Sequence, residues 1–130
     1  MAKIGIFEDN VYDVIRRYRG LVNQGHEVHV CIFDPVPLVS KEEIETLFKE
    51  RNFNPHSLYM ELLEMPTNAD IYFCDGLRRG CFSVAKRFGK EKTIINTGDL
   101  ELHGQAKQEG YRVLETSMEN IIKSSCFQSQ

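Results

Sequence analysis

Five short apolar runs that alternate with helical patterns constrain the fold of this chain more than any other feature of its sequence. Each run closes on an acidic, amide or glycine-containing segment, as a buried strand does. Between the runs, apolar residues recur at the spacing of a helix. The runs are 3–7, 27–33, 69–74, 93–95 and 111–114.

Strands that alternate with helices form parallel sheets, because each helix returns the chain to the starting edge of the sheet. Continuous apolar runs are typical of strands that are buried on both faces. The sequence therefore predicts a three-layer α/β/α sandwich with a five-stranded parallel sheet. On fold grounds we expect the flavodoxin-like strand order 2-1-3-4-5. A chain of 130 residues fits a single domain.

The segment 35–68 is longer than a connection in such a fold requires. Ser40 and Glu43 have the pattern of a capping box, which predicts a first helix. The apolar residues of a predicted second short helix are Leu58, Tyr59, Leu62 and Leu63. We interpret 35–68 as a helical insertion on the flank of the sheet, serving either as a partner surface or as padding. The tail 124–130 is expected to fray.

The charge pattern argues against a nucleic-acid partner. The net charge is −3 and both signs are spread along the chain, whereas nucleic-acid binders usually carry a basic excess. The nearest basic group is Arg16, Arg17 and Arg19, which we interpret as a solvated helix face. No apolar run reaches the roughly 20 residues that cross a bilayer, and the start of the chain lacks a signal-peptide pattern. We expect a cytoplasmic protein without a membrane partner.

The cysteines and histidines form no recognisable catalytic set. The four cysteines lack a CxxC pair and are interpreted as reduced and structural; they are Cys31, Cys74, Cys81 and Cys126. Neither a Ser/His/Asp triad nor a Cys/His pair emerges, and the glycine-rich nucleotide motifs are missing. A dedicated enzyme is therefore not the expectation.

Acidic residues close the first and third predicted strands. In the order 2-1-3-4-5 these strands are neighbours, so Glu8, Asp9 and Asp75 would face one another at the carboxyl edge, where ligands bind in such sheets. Crowded carboxylates repel each other, and Mg²⁺ is the usual remedy. We predict a magnesium site there; the alternative is that these acids only cap helices and stay hydrated.

Four segments resemble the receiver domain of two-component response regulators, the CheY-like family. Residues 4–10 (Ile-Gly-Ile-Phe-Glu-Asp-Asn) look like the family's opening strand with its acidic pair. Residues 69–75 are similar to the strand that delivers the phosphoacceptor aspartate. Residues 94–97 resemble the fourth strand with its switch residue, and 108–114 resemble the glycine turn and the fifth strand.

The resemblance implies reversible phosphorylation in a phosphorelay. Glu8 and Asp9 would hold Mg²⁺ together with Asp75, and Asp75 would accept a phosphoryl group from phosphohistidine on a sensor histidine kinase. Thr97 would then hydrogen-bond the phosphoryl group. Because no DNA-binding segment is recognised, the resemblance implies a stand-alone signalling module that acts through protein contacts.

Two departures set the chain apart from the family. Glu115 stands where receivers carry a lysine that pairs with the phosphoryl group, and the family's Met-Pro turn is missing after Asp75. Arg78 or Arg79 would supply the missing positive charge, since arginine binds phosphate oxygens bidentately. The chain is therefore interpreted as an atypical receiver or as a pseudo-receiver.

A different class of function remains open. The domain could be an unrelated flavodoxin-like enzyme or ligand-binding domain that recognises a phosphate-containing small molecule. Segments 76–80 and 96–98 would then bind the phosphate at the start of the helices that follow them. The sequence does not specify the oligomeric state.

Overall fold

Strands and helices alternate along the chain in the computed structural model, which describes residues 1–35 and 38–128, with side chains up to Ser125. In chain order the elements are β1 (Lys3–Glu8), α1 (Val11–Asn23), β2 (Glu27–Ile32), α2 (Lys41–Glu50), β3 (Ser57–Tyr59), β4 (Ile71–Cys74), α3 (Cys81–Phe88), β5 (Thr93–Ile95), α4 (Leu100–Gln108), β6 (Arg112–Val113) and α5 (Met118–Gln128). Parts of the predicted insertion (residues 36–37) and of the predicted tail (residues 129–130) lie outside the described residues.

Met1 and Lys3–Pro66 form the first of two compact units. In this unit β1 pairs in parallel with β2, and β2 pairs in parallel with β3. The pairs of β1 and β2 run from Lys3 with Glu27 to Glu8 with Ile32. Most side chains of β1 and β2 are buried, as expected for strands covered on both faces. The predicted cap of α1 is present, since Asn10 accepts the backbone N–H of Asp13.

The second compact unit comprises Ala2 and Thr67–Gln130. Its strands β4, β5 and β6 are joined by parallel pairing. α3 buries four residues at helical spacing, Cys81, Val84, Ala85 and Phe88. α5 extends through Gln128, so the fraying of the tail stays a prediction.

The sheet has six strands, in the order β3-β2-β1-β4-β5-β6. The expectation of five strands was wrong by one, because β3 adds an edge strand beside β2. The other five strands follow one another as the order 2-1-3-4-5 predicted. The chain is thus a parallel α/β protein in which strands and helices alternate.

The segment 35–68 contains the element that the sequence misassigned. The capping box of Ser40 and Glu43 is present and opens α2 as predicted. The predicted second helix is wrong, because Ser57–Tyr59 is extended and pairs with β2. Only Leu62–Glu64 forms a short 3₁₀ turn. The segment therefore contributes the helix α2 and the strand β3, which pairs with β2.

Thiol burial agrees with the structural interpretation of the described cysteines. Cys31, Cys74 and Cys81 are buried, reduced thiols. Burial raises the pKa of Cys31 to about 12 and that of Cys81 to about 11, so both thiols stay protonated near neutral pH. The side chain of Cys126 lies outside the described residues.

In the described part of the chain, every helix is too short or too polar to cross a membrane.

Replacement of Phe53 by alanine tests whether the 35–68 segment is part of the core. Phe53 is buried and packs edge-to-face against Phe48, with ring centroids 4.9 Å apart. We expect Phe53→Ala to lower the free energy of unfolding by about 3–5 kcal/mol, measured by urea denaturation. Leu63→Ala, a change at an exposed residue of the same segment, is the control and should shift stability by less than about 0.5 kcal/mol. Equal effects would contradict a core role for the segment.

Candidate functional site

Glu8 closes β1 and is fully buried. Its Oε1 accepts the backbone N–H of Asp9 at 3.1 Å and that of Asn10 at 3.4 Å. Its Oε2 lies 3.3 Å from Nη1 of Arg17. A buried carboxylate is tolerated when a cation and hydrogen-bond donors satisfy it. Glu8 therefore fixes the loop between β1 and α1 to the helix that follows.

The interpretation of the three arginines as a solvated helix face is wrong for Arg17. Its side chain is only 19% exposed, and it lies three residues after Val14 and four before Leu21, on the buried face of α1. Arg16 does face solvent, where it pairs with Asp13 at 2.9 Å. The sequence signal for Arg17 was its position on the apolar stripe.

Asp9 follows Glu8 and is half-buried. It precedes Asn10, the cap of α1, so it lies in a loop whose backbone is fixed on both sides. Glu8 and Asp9 belong to the first unit and Asp75 to the second. A cation shared by the three carboxylates stays a prediction.

Asp75 follows β4 directly and is half-buried. Its Oδ2 accepts the backbone N–H of Leu77 at 3.1 Å. After Gly76, the residues 77–79 form a turn with left-handed backbone: φ is 48° at Leu77, 51° at Arg78 and 77° at Arg79. Left-handed conformations are unfavourable for residues other than glycine. The carboxylate thus helps to hold a strained turn between β4 and α3.

Gly76 brings the ends of β4 and β5 together within the second unit. A Cβ atom added at Gly76 would lie 3.0 Å from Oγ1 of Thr97 and 2.6 Å from Cδ2 of Leu102. Glycine is therefore needed at this position for Thr97 to approach so closely. The backbone N–H of Asn96 donates to the carbonyl of Cys74 at 2.8 Å. This hydrogen bond continues the pairing of β4 and β5 up to the residues that precede Gly76 and Thr97.

Thr97 lies in the loop between β5 and α4. Its Oγ1 accepts the backbone N–H of Asp99 at 3.1 Å. Asp99 in turn caps α4 by accepting the N–H groups of Glu101 and Leu102. The hydroxyl of Thr97 is thus joined by one hydrogen bond to the cap of the following helix.

The two arginines after Asp75 are exposed. Nη2 of Arg79 donates to Oε1 of Gln105 on α4 at 2.6 Å, and its guanidinium lies 6.0 Å from the ring of Phe82. Arg78 occupies the middle of the left-handed turn. The second unit therefore has positive charge on the turn that follows Asp75.

Glu115 follows β6 and is paired. Its Oε1 lies 2.6 Å from Nζ of Lys107. The hydrogen bond from Lys107 lowers the pKa of Glu115, and the charge of Lys107 acts in the same direction. The carboxylate is exposed, so solvent weakens the pair. The acid that replaces the expected lysine thus has a lysine as its neighbour.

The donor chemistry of the predicted metal site fits Mg²⁺ in part. Asp9 and Asp75 offer carboxylate oxygens, which Mg²⁺ prefers. Glu8 differs, because Arg17 and two backbone N–H groups already bind its oxygens. Its chemistry is that of a residue that positions Asp9.

Removal of the cation that faces Glu8 should destabilise the first unit. We expect Arg17→Met to lower the free energy of unfolding by about 3 kcal/mol, because the buried carboxylate loses its charged partner. Thermal and urea denaturation measure the loss. Arg16→Met, on the exposed side of the same helix, is the matched control and should change stability by less than about 0.5 kcal/mol. An Arg17→Met variant with the free energy of unfolding of the wild type would show that the pair of Arg17 and Glu8 is unimportant for stability.

Comparison with known proteins gave no relative: no protein-family model matches the chain, and neither the curated proteins nor the solved structures give a match.

Proposed function

We propose that this chain is a receiver-like signalling module that accepts a phosphoryl group on Asp75 and acts through protein contacts. The phosphoryl donor would be phosphohistidine on a sensor histidine kinase. This proposal rests on the resemblance of the strand-end motifs and on the arrangement of the second unit.

The main support for the proposal is that the loop after β5 lies close to Gly76, the residue that follows Asp75. Gly76 leaves space for Thr97, whose Oγ1 would lie only 3.0 Å from a Cβ atom at that position. A carboxylate and a hydroxyl at neighbouring strand ends are the groups that phosphoryl acceptance followed by recognition requires. The presence of both groups at neighbouring strand ends favours a phosphoacceptor function over a purely structural role for Asp75 and Thr97.

The chemical step is a transfer from nitrogen to oxygen. A carboxylate oxygen of Asp75 attacks phosphorus, the bond between phosphorus and the histidine nitrogen breaks, and the histidine leaves with the electron pair. The product is an acyl phosphate. Such transfers depend mainly on positioning and on neutralisation of charge around the phosphoryl oxygens.

Asp9 and Asp75 are the residues that we propose as carboxylate ligands of Mg²⁺, with Glu8 holding the loop of Asp9. When bound, Mg²⁺ would neutralise negative charge near the acceptor. Arg78 and Arg79 would add positive charge from the turn after Asp75. The pairing of Glu115 with Lys107 at 2.6 Å reduces the repulsion expected from this acid.

Phosphorylation would alter the left-handed turn, because the carboxylate of Asp75 accepts the N–H of Leu77. An acyl phosphate changes both the charge and the acceptor geometry at that oxygen. Thr97 would turn toward the new phosphoryl oxygens and release the N–H of Asp99. We propose that the turn and the start of α4 transmit the signal to a partner.

Acetyl phosphate with Mg²⁺ tests the phosphoacceptor directly. We expect intact-mass spectrometry to show one phosphoryl group on the wild-type chain and none on Asp75→Asn, because the amide is a poor nucleophile. Asp70→Asn, just before the amino end of the same strand, is the matched control and should be phosphorylated like the wild type. The phosphoryl group should be lost on treatment with hydroxylamine, which cleaves acyl phosphates.

An unchanged wild-type mass, or a phosphoryl group that persists in Asp75→Asn, would overturn phosphorylation at this residue. Omission of Mg²⁺ should abolish the mass increment if the cation neutralises the acceptor. Full phosphorylation in the presence of a chelator would contradict the assigned metal role.

The Thr97→Val variant separates acceptance of the phosphoryl group from the conformational response to it. We expect the variant to accept the phosphoryl group but to lose the change in hydrogen exchange over residues 96–108 that phosphorylation produces in the wild type. Thr93→Val is the control at the other end of β5: within the described residues its buried hydroxyl has no hydrogen-bond partner, so the change should be neutral or slightly stabilising. A Thr97→Val variant with the full wild-type response would argue against the switch role.

A ligand-binding domain for a phosphate-containing small molecule is the second candidate. The start of α3 favours it, since Gly80 provides no side-chain cap and helix N-termini bind phosphate. Thermal stabilisation by nucleotides or sugar phosphates, without covalent modification, would favour this candidate.

A further inference from the structure

We infer that the first unit contains a binding site for Zn²⁺ formed by Glu27, His29 and His56, separate from the acidic residues at the carboxyl ends of the strands. A carboxylate oxygen and one ring nitrogen of each histidine all lie within 4.8 Å of one another. Two imidazoles and one carboxylate are a donor set that Zn²⁺ accepts, with one position open. The set suits Mg²⁺ poorly, because Mg²⁺ prefers oxygen.

Strand geometry brings the three side chains together. Glu27 is the first residue of β2, and His29 lies two residues later on the same face. His56 directly precedes β3, and its backbone N–H donates to the carbonyl of Val28 at 2.7 Å. That bond fixes the backbone of His56 beside the residue that separates the two β2 ligands.

The ligand atoms need only small shifts to bind a metal: the close pair of Glu27 and His29 must separate slightly, and the rest of the set lies within 4.8 Å. Nε2 of His29 lies 2.7 Å from Oε2 of Glu27, and the ring centroids of His29 and His56 lie 4.8 Å apart. Around a tetrahedral zinc the ligand atoms would be roughly 3.3 Å apart. Glu27 carries an exposed side chain, and His56 is exposed as well, so both can adjust by rotation about their side-chain bonds.

His29 is the fixed member of the set. It is buried, and its Nδ1 lies 3.1 Å from the hydroxyl of Tyr59. The two rings are nearly parallel, with an interplanar angle of 3°. Once Nε2 binds the metal, Nδ1–H donates to the tyrosine oxygen and sets the orientation of the ring. Histidine ligands in metal sites usually have such a partner.

Lys3 carries a positive charge that opposes the cation. Its Nζ lies 3.8 Å from Oε2 of Glu27, and its side chain is partly exposed. A pair at this distance near solvent is weak, so the ammonium can move away when a metal arrives.

A groove of about 500 Å³ adjoins the site, and His56 and Tyr59 are among its lining residues. The groove gives the metal access from solvent and leaves space for a water molecule on the open coordination position. The open position distinguishes the site from closed structural zinc sites, which have four protein ligands.

Titration of the metal-free full chain with ZnCl₂ in a calorimeter tests the inference. We expect one site per chain in the wild type, and affinity at least about tenfold weaker in His56→Ala and in Glu27→Gln. His103→Ala, a histidine of α4 outside the cluster, is the matched control and should bind like the wild type. MgCl₂ at the same concentration should not compete.

Binding of Co²⁺ provides a second measurement, which reports the coordination of the bound ion. The wild-type chain should give the visible absorption of a low-symmetry four- or five-coordinate ion, and His56→Ala should lose it. Absence of stoichiometric binding in the wild type, or equal binding by wild type and His56→Ala, would overturn the site and leave the cluster as a hydrogen-bonded network. Both variants replace exposed side chains, and circular dichroism will confirm that they fold.

Discussion

Parallel pairing between β1 and β2 determines where the chemistry of the first unit can lie. The two strands align from Lys3 beside Glu27 to Glu8 beside Ile32, and their interior residues are almost all buried. The polar side chains of the two strands therefore lie mainly toward their ends, and the buried imidazole of His29 is the exception inside β2. The helix α1 contributes at the carboxyl end, because its half-buried Arg17 reaches back to the carboxylate of Glu8 at the end of β1.

The two ends of these strands carry different kinds of polar group. The amino end holds imidazoles and a carboxylate with a tyrosine behind them, which is the chemistry of a transition-metal ligand set. The carboxyl end holds acids and backbone N–H groups, which suits hard cations and phosphoryl groups. Because β1 and β2 are parallel, the histidines and the carboxylate at their amino ends are separated from the acids at their carboxyl ends by the length of the strands.

Much of the fold was predictable from apolar runs, but β3 was not. Ser57–Tyr59 is only three residues long, and Leu58 and Leu62 are also spaced as in a helix, so pairing with β2 decides its structure. At the candidate site, the acidic residues after the strands were evident from the sequence. The partner of Glu8 was missed because three neighbouring arginines suggested solvent, although Arg17 shares the spacing of the buried residues of α1.

The left-handed turn after β4 carries a consequence for energetics. Three successive residues with side chains, Leu77, Arg78 and Arg79, have positive φ, at a cost of roughly 1–2 kcal/mol each. Part of the folding free energy is thus held as conformational tension in one short loop, close to a carboxylate that helps to restrain it. Loss of the hydrogen bond between Asp75 and Leu77 would let the backbone of the loop relax to a conformation of lower free energy. The loop is therefore easier to relax than to distort further.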